Sequence, residues 1–453
     1  MSLKEQIPAI LKHIEANENF TAVNKEIFDI LEGDLYDKVV VALRKQLISD
    51  KAYESARRRV APINIAKRIV DKLSKIYSTP VIREADNPTD QEIMDFYVKE
   101  MKLDVVFGDS NRFFNGTRAT SIDPFLEDNK PRARVVPTHQ FLPYSSNLLK
   151  PNVMDVYIKF MGERDNKQIY FLYSNEEFLA INSEGNPLPE FMAGNEGENP
   201  FKVIPQTYIN RSNHLLVPKA DKGMLQMAIL IPLILTDLNF AVEYMSHSII
   251  WGANLDVSNL ELNPNAFWDL GETEDGKKPE VGQITPTVDI DQVLNLVKQE
   301  VDMWLESKNI KAGTGSAKVA EAGVALMIRE ADTTDDRKEQ IIHYTAAEKD
   351  FWQRMKVIHN YWAETQQVSE TRKFSDDFEP VIIFASPRPI ESQMDVIKRH
   401  KELQNMDLNT KKMALTEIFP ERKEGDIETI LEEIKKEKPL GGLFGGETPK
   451  IQG

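Results

Sequence analysis

The 453-residue chain contains no cysteine, which excludes disulfides and thiolate metal sites and points to a cytosolic, reducing place of folding. Histidine is sparse as well: the seven residues at 13, 139, 214, 247, 343, 359 and 400 form no HExxH and no i,i+4 pair, so each reads as a surface or core residue rather than a zinc ligand. Positive charge is the scarcer sign. With 56 Lys and Arg against 72 Asp and Glu, the formal charge is −16, so the surface as a whole repels polyanions and contact with nucleic acid must be local or weak. Long apolar runs are missing too. The richest, MLQMAILIPLIL at 224–235, is broken by Pro232 and falls short of the ~20 residues that span a bilayer. The N-terminal MSLKEQIPAILKHIEANENF has no apolar core of the kind a secretory signal needs. The expectation is a chain without membrane segment or leader.

Catalytic signatures are absent in the same way. The stretch AGTGSAKVAEAGVALMI at 312–328 carries Gly313, Gly315, Gly323 and Lys318, but a phosphate cradle needs GxxxxGK[ST] after a strand so that backbone amides and the ammonium converge. Here the preceding segment reads as helix. A flexible connector between two helices explains the small residues. There is no GxSxG. Acidic pairs such as Asp289/Asp291 and Asp376/Asp377 could hold Mg²⁺, though helix caps and solvated turns account for them more simply. Nothing calls for an enzyme or a cofactor.

What is present is an α+β pattern, with 41% apolar residues to fill a core. The first fifty residues are helical: Ser2 and Glu5 have capping-box spacing, and Ile27, Ile30, Leu31 and Leu35 recur at helical intervals. From 63 to 79, Ile65, Ile69, Leu73 and Ile76 form one stripe, and Pro80 ends it. Arg57, Arg58, Arg59, Lys67, Arg68, Lys72 and Lys75 make this the one dense basic region, which reads more readily as a solvated face or acidic-partner contact than as a DNA site. Residues 107–210 read as antiparallel β: Met154, Val156, Ile158 and Phe160 alternate onto one face, and GERDNKQ separates that strand from IYFLY. A helix is expected from about 221 to Gly252, kinked near Pro232, followed by short strands and turns. Residues 289–309 read as a helix with a stripe of Val293, Leu296, Val297, Val301 and Leu305. Another runs from Ala322 to about Thr365, with Phe351, Met355, Ile358 and Trp362 in register. A short strand over 378–388 and helices at 389–405 and 424–437 precede a Gly-rich tail. Rods with one apolar stripe need a surface to cover it, and identical copies packed in a ring can supply one.

Four phrases, in this order, resemble the portal proteins of tailed bacteriophages, particularly the siphophage type. IAKRIVDKLSKIYSTPV is similar to an early helix of that family, and NPFKVIPQTYIN to its passage from β region to stem. AEAGVALMI resembles the SG(I/V)AL stretch after the tunnel loop. IIFASPRPIESQMDVIKRHKELQNMDLNTKKMALTEIFPERKEGDIETILEEIKKE resembles the C-terminal run. The likeness covers roughly residues 55–437; Pro232 and a short crown depart from it. It implies a ring-forming α+β portal fold. Residues 1–218 would be the wing, 219–255 the first stem helix, 256–287 the clip and 288–310 the second stem helix. Then follow the tunnel loop at 311–321, the long wing helix at 322–367, and the crown with a mobile tail at 368–453.

The resemblance further implies a homo-oligomer, usually of twelve subunits, at one vertex of the virion, assembled in the host cytoplasm. Double-stranded viral DNA would pass through it in packaging and ejection. The terminase large subunit, the major capsid protein or scaffold, and a head–tail adaptor would be its partners. Lys311, Gly313, Thr314, Gly315, Ser316 and Lys318 would be the loop meeting DNA, with the two lysines as weak phosphate contacts. Asp291, Lys298, Glu300 and Asp302 would belong to the channel wall; those carboxylates equally suit a solvated helix or a pairing with a neighbour. Phe267 and Trp268, in a polar turn-rich stretch, are either the small core of the clip or anchors for a partner. The alternatives are another virion or scaffold protein, or an enzyme acting on nucleotides or DNA.

Overall fold

The computed structural model describes residues 2–47, 49–192, 197–212, 214–246, 249–253, 280–284, 289–306 and 333–384, with isolated positions 401, 412 and 415. All but those last three lie in one compact unit ending at Ala385. Three helices fill the N-terminus: α1 (Leu3–Ala16), α2 (Glu18–Glu32) and α3 (Leu35–Gln46). The Glu5 carboxylate accepts the Ser2 backbone N–H at 3.1 Å, completing the capping box that starts α1. Gly33 closes α2 at φ +130°, a conformation that side chains resist. After α4 (Asp50–Arg57), α5 (Ile65–Leu73) begins where Asn64 Oδ1 accepts the Lys67 N–H at 2.9 Å.

α5 is shorter than the pattern predicts. The Ser74 hydroxyl donates to the Val70 carbonyl at 2.6 Å, offering the backbone a local end before residue 79. Ile65, Ile69 and Leu73 therefore pack with α2 and α3 in one core, while Ile76 leaves that stripe for a second core.

The β region also starts later than expected. After β1 (Ile82–Glu84) and α6 (Pro88–Glu100), the helix α7 (Leu103–Thr117) occupies the beginning of the predicted sheet. Leu103, Val106, Phe107, Ser110, Asn111 and Phe114 are buried along it, a helical period that the alternation further on obscures. The strands then follow as β2 (Ala119–Glu127), β3 (Lys130–Val136), β4 (Phe141–Tyr144), β5 (Val156–Arg164), β6 (Lys167–Tyr173), β7 (Phe178–Asn182) and β8 (Thr207–Asn210). They form two antiparallel sheets, ordered β3-β2-β8 and β4-β5-β6-β7. The same Asp-Asn pair closes two hairpins: Asp128-Asn129 and Asp165-Asn166 all have positive φ, with Glu127 opposite Lys130 and Arg164 opposite Lys167. That is two-residue turn geometry matched to the twist of the strands. Val156 and Ile158 face α1 in a third core, with Phe160 against it, whereas Met154 precedes the strand and packs elsewhere.

The helix α8 (Lys222–Ser246) runs unbroken through Pro232 and stops before Gly252, because Ile249–Ala253 forms β9, paired antiparallel with β10 (Glu280–Ile284). β-branched and aromatic residues at 249–251 favour the strand. Then come α9 (Ile290–Glu306), α10 (Thr334–Glu364) and β11 (Val381–Ile383), the last pairing with β1. The expected helix between 322 and 332 and those beyond 385 lie outside the described residues. Phe351, Met355, Ile358 and Trp362 are all buried on α10, against residues of α6, α7, β2, β8 and β11. That stripe is covered by its own chain, so this rod does not need a second copy.

Candidate functional site

Buried polar groups fasten α10 to the rest of the unit. Arg83 donates through Nε and Nη2 to the two Glu348 oxygens at 2.5 and 2.9 Å and through Nη1 to Asp104 at 2.7 Å, while the Tyr77 hydroxyl donates to Glu348 at 2.8 Å. Further along, Gln340 Oε1 accepts from Asn111 and Asn115 at 2.7 and 3.1 Å, and Arg211 reaches Asp336 at 2.5 Å. His359 completes the set. Its Nε2 faces the Arg372 carbonyl at 2.5 Å and its Nδ1 the Tyr97 hydroxyl at 2.7 Å. Because a carbonyl can only accept, Nε2 carries the proton and Nδ1 takes the tyrosine hydrogen, a bonding pattern for neutral imidazole. These groups are paired inside the fold, which gives them a positioning role. Sequence reasoning missed them, since partners up to 271 residues apart leave no local pattern.

Burial depresses His359 below the ordinary histidine range, against weaker opposing effects of the Arg372 carbonyl and Glu370. His13, His139 and His343 are lowered by burial too. An unfolded histidine titrates near 6.5, so below that pH the unfolded chain binds more protons and stability falls as pH falls. Thermal melts should show lower Tm on going from pH 7.5 to 5.5. Replacing His359 by Gln should reduce that dependence by at most about 1.4 kcal/mol per pH unit.

The segment corresponding to the predicted stem has its own logic. Two helices, α8 and α9, flank the antiparallel ribbon β9–β10 and share one core with α2, α3 and α5. Thr236 ties α8 to the segment before α5: its hydroxyl donates to the Pro232 carbonyl at 2.7 Å and accepts the Ala61 N–H at 3.2 Å. Within Lys222–Val242, the most apolar stretch of 18 residues has a mean hydropathy of 1.8, and 39% of that stretch is fully buried. By length and composition this helix could cross a membrane, a property that counting only 224–235 had hidden. Leu230 and Val242 are exposed on it.

On α9, Asp289 caps by accepting the Gln292 N–H at 3.1 Å. Val297, Val301, Trp304 and Leu305 are buried; Leu296, expected in that stripe, is 46% exposed, and Met303 is 57% exposed. At about 100° per residue, Leu296 lies well off the buried centre, whereas Trp304 lies close to it. The same geometry divides the predicted wall. Asp291, Lys298 and Asp302 fall within about 40° of arc, while Glu300 lies on the opposite flank. Burial, with the neighbouring Glu306, raises Asp302 above the usual carboxylate range against the pull of Lys298. Its Oδ1 is buried without a hydrogen-bond partner.

Lys311, Gly313, Thr314, Gly315, Ser316 and Lys318, and likewise Phe267 and Trp268, lie outside the described residues. In the basic region, Arg57, Arg58, Arg68 and Lys75 are exposed, while Arg59 donates to the Ser55 carbonyl and hydroxyl and lies over the Phe240 ring. Among the described residues, no group of three His, Asp or Glu is placed to hold a metal ion. A scan of protein-family models returns no match, and a search of curated proteins finds no significant relative.

Proposed function

We propose that this chain is a subunit of a tailed-phage portal ring, a non-enzymatic conduit for viral DNA that docks the terminase motor and later the head–tail adaptor. The observation carrying this reading is the α8–α9 pair: α8 is a long apolar helix that leaves Leu230 and Val242 exposed, and α9 exposes Leu296 and Met303. Identical neighbours around an axis would supply the missing cover. The order of helix, antiparallel ribbon and helix over 222–306 is compatible with it, although β9 begins inside the range 219–255 that the resemblance gives to the first stem helix, and 254–279 lies outside the described residues. In this reading the arc of Asp291, Lys298 and Asp302 faces the lumen, where net negative charge keeps DNA from binding to the wall, and Leu296 and Met303 face the neighbour.

Negative-stain images of purified protein test the proposal: rings with a central hole wide enough for duplex DNA are expected, and a solely monomeric preparation with nuclease or ATPase activity would overturn it. The Lys318→Ala variant should assemble normally and package DNA differently; loss of the ring would make that loop structural. The hydropathy of α8 favours a second reading, insertion in a bilayer. Flotation with lipid vesicles in place of ring formation would select it.

A further inference from the structure

The loop between β4 and β5 holds two leucines in water. Leu148 and Leu149 are 94% and 93% exposed, and their loop is braced beneath them. The Asp155 carboxylate accepts the Ser146 N–H at 2.9 Å and its hydroxyl at 2.5 Å. Asn147 Oδ1 accepts the Leu149 N–H at 2.9 Å, and the Ser145 hydroxyl donates to the Lys150 carbonyl at 3.1 Å. A stiff tip with two adjacent apolar side chains marks a contact site.

Elsewhere on the same unit, between α1 and the β5–β6 hairpin, lies an open groove of about 700 Å³ lined by Pro8, Leu11, Ile14, Phe160 and Tyr170. Its rim carries Glu15, Glu18 and Lys12, a net negative edge, and Lys150 follows the leucines directly at the tip.

We propose that Leu148 and Leu149 of one copy seat in the Pro8/Leu11/Ile14/Phe160/Tyr170 groove of the next, with Lys150 against Glu15 and Glu18. Knob and groove are different patches of one chain, so the contact is head-to-tail, the kind that closes into a ring when the rotation permits. The occupant is a second copy, because the tip of this same chain supplies both the apolar pair and a Lys150 complementary to Glu15 and Glu18 on the rim. This contact rests on the ring reading and gives it a second joint, distinct from the α8–α9 pair.

The absence of cysteine makes the test clean. Protein carrying Leu149→Cys and protein carrying Pro8→Cys are mixed under ring-forming conditions and oxidised; both positions are exposed. A disulfide-linked pair containing one of each variant is expected, with rings intact. Leu148→Asp/Leu149→Asp should cut the assembled fraction at least tenfold while far-UV circular dichroism and Tm stay at the parent values. Rings without the mixed disulfide, a Leu149→Cys self-pair in its place, or normal assembly of the Asp variant would each overturn the contact and leave the ring reading standing, with the tip then serving another partner. If the parent protein forms no ring at all, both fall.

Discussion

Glu348→Ala is expected to lower the unfolding free energy by about 3–5 kcal/mol, because it strands a buried guanidinium. Arg83 has little exposure, and two of its three polar contacts end on Glu348; Asp104, which is partly exposed, would remain. Tyr77, whose hydroxyl also ends there, loses its acceptor in the same change. Removing both charges should behave differently. Burial holds the Glu348 carboxyl above the ordinary carboxylate range against the pull of Arg83 and Tyr77, so the pair offsets its desolvation only in part. An apolar replacement of both groups, Arg83→Met with Glu348→Leu, should therefore recover most of the loss, as buried pairs exchanged for packed side chains often do. Urea titrations of the two single variants and the double variant measure this as a coupling energy. A single-variant loss below about 1 kcal/mol would show that water reaches Arg83 and that α10 is held by its apolar stripe and its other polar contacts.

How far the sequence discloses this depends on whether the signal is local. The α10 stripe of Phe351, Met355, Ile358 and Trp362 is legible because its four residues lie within three turns, and all four are buried. α7 was not. Its helical period from Leu103 to Phe114 ends at Asn115-Gly116, a turn signal two residues before β2, but the alternation that dominates the region that follows masks it. The hairpin at Asp128-Asn129 could have been found, since it repeats the Asp-Asn turn at 165-166 between alternating residues. The end of α5 could not. Ser74 stops the helix through one side-chain bond that neither hydrophobic spacing nor Pro80 announces. Of the candidate site, the α9 residues were readable as a helix but not as faces, because which arc is covered depends on α8 and α3, distant in sequence. Trp304 shows the difference: helical angle alone places it beside the arc of Val297, Val301 and Leu305 and Leu296 well outside it, and the sequence reading counted the wrong one of the two.

That same choice of faces leads to the change with the largest expected effect on assembly, Leu296→Asp with Met303→Asp. Both side chains already stand in water in the single chain, so neither substitution opens a cavity or breaks a hydrogen bond, and folding stability should move by no more than about 0.5 kcal/mol per site. In a ring that covers this arc, the result is opposite. Each carboxylate would lose its hydration at the joint without a cation to meet it, and Glu300, one turn from Leu296 and one from Met303, adds like charge. At 1.4 kcal/mol per tenfold, even a modest penalty at each position weakens every joint by about a hundredfold, and a closed ring needs all of its joints. Sedimentation velocity should show the ring boundary replaced by a single-chain species with unchanged circular dichroism. Asn295→Asp, on the flank grouped with Asp291 and Asp302, should leave the ring intact, since carboxylates there would face the lumen. Should Asn295→Asp dissolve the ring while the Leu296/Met303 variant keeps it, the assignment of the two arcs is reversed, and the apolar side of α9 looks into the channel.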